Sequence, residues 1–136
     1  MNPILLDTHV VVWSANGTLS PITTKTVDAA AKRGDLLLSP ISAWEIAMLV
    51  NKGRLSVAPT VQEYVRALFR QSGVVTATLT ASIAAAAGCL PGKLRADPAD
   101  RILIATAAAY GAQLVTHDKN ILDYAKATRY LRCVAC

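Results

Sequence analysis

Four acids in this sequence stand inside or against apolar runs. Asp7 closes Ile4-Leu5-Leu6, Glu45 lies between Trp44 and Ile46, Asp100 opens a long uncharged stretch, and Asp118 follows Leu114-Val115-Thr116-His117. Carboxylates gathered in a poorly hydrated place repel one another and lose solvation, so their pKa values rise unless something compensates. Two compensations are open: pairing with lysine or arginine, or a hard divalent cation. An all-oxygen donor set without a His or Cys cluster suits magnesium or manganese rather than zinc. Such an ion lowers the pKa of a bound water and steadies the charge developing on a phosphodiester. Metal-assisted hydrolysis of a phosphate ester is the chemistry these residues point to.

The elements that must position these acids follow from local signals. Asp97 is a good N-cap, Pro98 suits a first helical turn and Gly111 supplies a stop, so a helix spans the interval. Ile102 to Val115 carries no charged side chain, and a helix apolar on all sides is a buried one. Leu114 to Thr116 reads as the short strand that follows it. Pro3 to Leu6 reads as the first strand, Leu36 to Leu38 as the second, Val74 to Leu79 as the third and Tyr130 to Val134 as the fifth. Between them, helices are expected over His9–Ser14, from Pro21 to about Arg33, from a Ser42 cap to Val50, from Thr60 through Phe69, over Ala81–Ala87 and over Asn120–Ala127. Gly88 to Ala96 is left as a loop carrying Lys93 and Arg95. Five short strands separated by helices indicate an α/β fold with a mainly parallel sheet covered on both faces. In such sheets ligands bind beyond the carboxyl ends of the strands, where Asp7 and Asp118 fall and where the helices bearing Glu45 and Asp100 begin.

Each acid also has a purely structural reading. Asp7 is a suitable N-cap, Glu45 an early-helix acid favoured by the helix dipole, and Asp118 a turn residue. Asp100 is a suitable helix-start acid, Asp97 competes with it as the functional acid of that turn, and Asp123 reads as a solvated helix acid. Four separate caps have no reason to converge, whereas a site requires it. His9 and His117 adjoin Asp7 and Asp118 without a partner at metal-ligand spacing; strand alternation turns His117 away from Asp118, and neither is assigned a catalytic role. No nucleophile elbow, phosphate-binding loop or dinucleotide fingerprint is present.

At 136 residues the chain is long enough for one domain with a real core, and 53% hydrophobic against 17% charged residues makes it globular. A formal charge of +5 favours a polyanionic partner such as nucleic acid without requiring one. The apolar runs are shorter than the ~20 residues of a membrane span. The start lacks a basic, long-apolar export signal, so the cytoplasm is the expected compartment. Cys133-x-x-Cys136 lacks two further zinc ligands and does not open a helix, so its cysteines read as small core and tail residues.

The blocks Ile4-Leu-Leu-Asp7-Thr-His-Val10, Ser42-Ala-Trp-Glu45-Ile-Ala47, Asp97-Pro-Ala-Asp100-Arg-Ile-Leu-Ile-Ala-Thr-Ala107 and Leu114-Val-Thr116-His-Asp118 resemble, in order, the four acidic blocks of the PIN domain. More closely, they resemble VapC-type toxin ribonucleases of bacterial toxin–antitoxin pairs. The resemblance implies a single domain over residues 1–136, a three-layer α/β/α sandwich with a five-stranded sheet of order 3-2-1-4-5. It also implies an endoribonuclease dependent on Mg2+, with Mn2+ as a substitute, acting on RNA as a homodimer and held in check by a cognate antitoxin. Asp7 and Asp100 would be the main metal ligands, with Asp118 joining them and Glu45 completing a catalytic quartet partly through water. Thr8, Ser42 and Thr116 would lie near the substrate. By charge alone, Arg101, Lys93, Arg95 and Lys52 are candidate contacts to RNA phosphates, each with a solvated surface charge as its alternative. Ala99 stands where the family carries an aromatic residue, and the cysteine tail matches none of its motifs. The competing readings are a catalytically silent PIN-like module that binds RNA or protein, and a nuclease or phosphatase using the same acids on DNA or phosphomonoesters.

Overall fold

The computed structural model describes residues 2–136. Its elements run β1 (Ile4–Leu6), α1 (Thr8–Ala15), α2 (Pro21–Lys32), β2 (Leu36–Leu38), α3 (Pro40–Asn51), α4 (Val61–Phe69), β3 (Val74–Thr76), α5 (Ala81–Gly88), α6 (Pro98–Tyr110), β4 (Gln113–Thr116), α7 (Lys119–Thr128) and β5 (Arg132–Ala135). The five strands form one sheet of order β3-β2-β1-β4-β5 with every pairing parallel. The α/β class and the 3-2-1-4-5 order match expectation.

Side-chain alternation explains the three layers. Successive strand residues face opposite sides of a sheet. Ile4, Leu6, Leu36, Leu38 and Val115 therefore join one core with Val10 and Val11 of α1, Val27 of α2, Ile46 of α3 and Leu68 of α4. Leu5, Leu37 and Leu114 join the opposite core with Leu103, Ile104 and Ala107 of α6 and Ile121 and Tyr124 of α7. Inner strands covered on both faces need apolar side chains throughout, and β1 and β2 are wholly buried leucine and isoleucine. The edge strands β3 and β5 are partly exposed.

Several boundaries depart from the sequence reading. Ser39, not Ser42, caps α3: its hydroxyl accepts from Ile41 N, with Pro40 at the first helical position. Ser42 lies inside the helix and is fully buried. The third strand ends at Thr76, three residues short of Leu79. Helix α6 is not buried on all sides, because its last turn emerges from the core at Ala109 and Tyr110. The connection after α4 depends on Gly73, whose φ is +83°; a Cβ there would lie 1.9 Å from the backbone oxygen of Ala31.

Strand order reverses between β1 and β4, since chain leaving β1 fills one side of the sheet before β4 enters on the other. This switch point leaves a crevice at the carboxyl ends of the two strands.

Candidate active site

Residues from four separate segments meet in that crevice. Asp7 follows the last residue of β1 and caps α1; its backbone N–H donates to Val115 O at 3.0 Å, tying it to β4. Glu45 projects from α3, which runs from the end of β2 and packs against both α4 and α6. Asp100 sits in the first turn of α6, where its N–H donates to the N-cap carboxylate of Asp97 at 2.8 Å. Asp7, Glu45 and Asp100 each present a carboxylate oxygen, and these oxygens lie within 4.8 Å of one another. Asp118 is not in this tight group. It caps α7, accepting from Asn120 N at 2.8 Å, and lines the same cavity of about 400 Å³. A larger groove of about 620 Å³ between α7 and β5 holds one carboxylate, Asp123, so size alone does not locate the chemistry.

Buried hydroxyls fix the carboxylates. Asp7 Oδ1 accepts from Thr8 N at 2.7 Å and Oδ2 accepts from Thr116 Oγ1 at 2.6 Å. Thr8 Oγ1 donates to Glu45 Oε1 at 2.5 Å and lies 2.9 Å from Ser42 Oγ. A hydroxyl has one proton to give, so Ser42 must donate to Thr8, which in turn donates to Glu45. Thr116 Oγ1 also accepts from Asp118 N at 3.0 Å and links the fourth acid to the first.

Burial pushes the Asp7 and Glu45 carboxyls above their ordinary range, partly opposed by the bonds from Thr116 and Thr8. Asp100 rises to about 7, chiefly by burial and further by the charges of Asp97, Asp7, Glu45 and Asp118. Among the described residues no lysine or arginine pairs with any of these acids; the ion pairs are Arg33–Asp35 and Lys119–Asp123. Of the two compensations the sequence left open, the geometry favours a bound cation. Three converging carboxylates with raised pKa values and no protein counter-charge are a donor set suited to a hard divalent ion.

Other expected site residues fall elsewhere. Thr8, Ser42 and Thr116 are 1%, 0% and 0% exposed. They lie beneath the acids and hold them in place through their hydrogen bonds. Arg101, one residue and about 100° around the helix from Asp100, does not line the cavity; its Nε–H donates to Ala87 O at 2.9 Å. Lys52, at the far end of α3, does not line it either. Lys93 and Arg95 are exposed on a loop pinned to α7 by Asn120 Nδ2 donating to Arg95 O and Tyr124 OH donating to Pro91 O, each at 2.5 Å. That loop runs into Asp97 at the cavity rim. Cys133 and Cys136 pack toward opposite faces of the sheet, and burial raises the Cys133 thiol to about 12.

Part of the lining lies outside the expected site: the two histidines are set aside there, Asp97 is only an alternative to Asp100, and Trp13 is not among the candidates. His9, Trp13, Asp97 and His117 all border the cavity. His117 escapes the strand-alternation argument because it lies beyond the last residue of β4. The signal for the others was present: His9 and Trp13 are four apart on the helix that Asp7 caps, hence on one face.

Known proteins resemble this chain over most of its length. The sequence profile of the PIN domain matches residues 4–127. The chain is 34% identical over 126 residues to Ribonuclease VapC22 of Mycobacterium tuberculosis, covering 91% of this chain and 93% of that protein. Its fold resembles a chain in the crystal structure of VapBC2 from Rickettsia felis bound to a promoter DNA fragment (TM-score 0.70, 19% identity, 97% of each chain). A chain of DNA-bound VapBC from Salmonella typhimurium is also similar (TM-score 0.67, 17% identity, 99% of this chain and 98% of that one).

Proposed function

Because the chain belongs to the PIN domain family, we propose that it is a metal-dependent endoribonuclease, the toxin of a toxin–antitoxin pair. The observation that carries this reading is the meeting of Asp7, Glu45 and Asp100 without a protein counter-charge. Similarity to a VapC ribonuclease over most of both chains supports RNA as substrate. Likeness in fold to chains of VapBC assemblies is consistent with a cognate antitoxin partner. We also assign a second copy of this chain as a partner. No helix among the described residues is long and apolar enough to cross a membrane.

Asp7, Glu45 and Asp100 would hold Mg2+, with Mn2+ as substitute, and Asp118 would stand at the edge of the same set. When bound, the ion supplies a water of lowered pKa and a positive charge against the phosphodiester. The protein's part is mostly positioning. Thr116 and the N–H of Thr8 keep both Asp7 oxygens oriented and favour its ionised form, while the Ser42–Thr8 relay does the same for one oxygen of Glu45. Asp118 orients the attacking water. Lys93 and Arg95, on the loop leading to Asp97, contact flanking phosphates.

The test is cleavage of RNA by the purified protein with and without Mg2+ or Mn2+, and by Asp7→Asn and Asp100→Asn. Cleavage is expected only with the metal and to vanish in both variants while the fold persists. Metal-dependent cleavage retained by both variants would sink the reading. A chain that binds Mn2+ in neither calorimetry nor paramagnetic titration would instead be the silent module.

A further inference from the structure

The cavity has a second wall that the acids do not explain. Trp13 stands between two imidazoles: its ring centroid is 5.9 Å from that of His9, tilted 47°, and 5.3 Å from that of His117, edge-on at 79°. His9 and His117 are exposed and Trp13 is half-buried, and all three border the cavity that Asp7, Glu45 and Asp100 also line. Their positions follow from the same elements. His9 and Trp13 share a face of α1, which begins directly after Asp7, and His117 immediately precedes Asp118. Because the rings are inclined to one another, they form a corner rather than a flat stack. A planar aromatic guest lying on one ring meets the edge of the next, the arrangement aromatic quadrupoles prefer.

We propose that His9, Trp13 and His117 form a base-binding corner that stacks an unpaired nucleobase beside the scissile phosphate and so selects single-stranded RNA. The proposal rests on the ribonuclease reading and names the form of substrate that site accepts. Every base offers a π-face, so such a corner tolerates sequence, but in a duplex those faces are covered by neighbouring pairs. An RNA is favoured over a protein side chain as occupant because the corner and the acids share one cavity. A nucleotide whose phosphate reaches the acids carries its base a short, fixed distance away. The loop bearing Lys93 and Arg95 enters the rim at Asp97 and adds positive charge for a polyanion.

The experiment uses Trp13 fluorescence in a Trp44→Phe background, since the chain has two tryptophans. The probe is a short phosphorothioate oligoribonucleotide that resists hydrolysis, added with Mn2+ as a single strand, as a duplex, or as a single strand with one abasic position. Quenching is expected with the intact single strand and not with the duplex, and weaker binding with the abasic strand. Trp13→Leu, which keeps an apolar group against the core, should weaken single-strand binding by roughly 5- to 150-fold, the range of one base–aromatic stack. Trp13→Phe should retain most of the affinity. Mn2+ affinity should stay within a few-fold in both variants. His117→Ala, at an exposed position, provides a second variant if Trp13→Leu does not fold, with a smaller loss expected in the same direction. Equal binding of single strand and duplex, or undiminished single-strand binding by Trp13→Leu or His117→Ala, would overturn the proposal. So would Trp13→Leu losing only the binding of a protein partner, which would give the corner to that partner. Failure of Mn2+ binding and cleavage in the unaltered protein would count against the ribonuclease reading, while the quenching comparison still judges the corner.

Discussion

Replacing Thr116 by valine removes one hydroxyl and almost no volume, yet it should cripple metal binding. Thr116 Oγ1 donates the 2.6 Å bond to Asp7 Oδ2, and Asp7 is only 6% exposed, so water cannot readily replace that donor. A hydrogen bond to a charged group is worth about 1.5–3 kcal/mol. Its loss lifts the Asp7 pKa further, because a donor to the ionised form is gone. Burial already holds that pKa above the ordinary 3.8. The metal then meets stronger competition from a proton, and affinity for Mn2+ should fall by about 10- to 100-fold, as for other groups that support a metal ligand. The deficit belongs to the proton, so the ratio of dissociation constants, variant over parent, should shrink as pH rises from about 6 to about 8.5. Thr116→Ser keeps the donor and should stay close to the parent. Isothermal titration with Mn2+ across that range is the assay, with near-ultraviolet circular dichroism verifying the fold. A valine variant that binds Mn2+ as tightly as the parent at the acidic end would refute the reasoning, as would a deficit independent of pH.

In the metal-free protein, Asp100 has a folded pKa of about 7 against an ordinary 3.8, so the stability it contributes is fully present below 3.8 and lost as pH rises through 7. Urea midpoints without metal should show that loss for the parent and a weaker pH dependence for Asp100→Asn; parallel curves would argue against it. Gly73→Ala should prevent folding or lower the melting temperature severely, because its Cβ would press on the Ala31 backbone at 1.9 Å and its φ is +83°. A melting temperature near that of the parent would show that this turn can shift. Ser39→Ala should cost about 0.5–2 kcal/mol in denaturant titration through loss of the α3 cap. Leu5→Ala, emptying a fully buried position in β1, should cost about 2–5 kcal/mol by the same measure.

Much of the framework was legible because this chain marks its elements locally. Leu36 to Leu38 is an apolar run between Gly34-Asp35 and Ser39-Pro40, and the strand occupies those three residues. Ser20, Thr60, Thr80 and Asp97 each precede a helical pattern and each caps one. The failures are also physical. Ser39 and Ser42 both look like caps; Pro40 at the first helical position decides for Ser39. The acids could be named from their apolar surroundings, but their grouping could not be weighed. The tight cluster takes Asp7, Glu45 and Asp100, whereas Asp118 spends an oxygen capping α7. Spacing places the threonines and Ser42 close to the acids, but it does not reveal which of the two faces solvent. The aromatic corner depends on the turn after Thr116, where strand periodicity no longer applies.

The supporting bonds of the cavity span most of the chain: Thr116 and Asp7 are 109 residues apart, and Thr8 and Glu45 are 37 apart. No contiguous fragment short of nearly the whole polypeptide carries the set. Exposed loops are where proteases nick first, and Pro91-Gly92-Lys93 is such a loop, lying between the pair Asp7 and Glu45 and the pair Asp100 and Asp118. One clip there, followed by separation of the pieces, leaves each half with two carboxylates and neither with a working centre. The centre can thus be lost through a cut that touches none of the acids themselves.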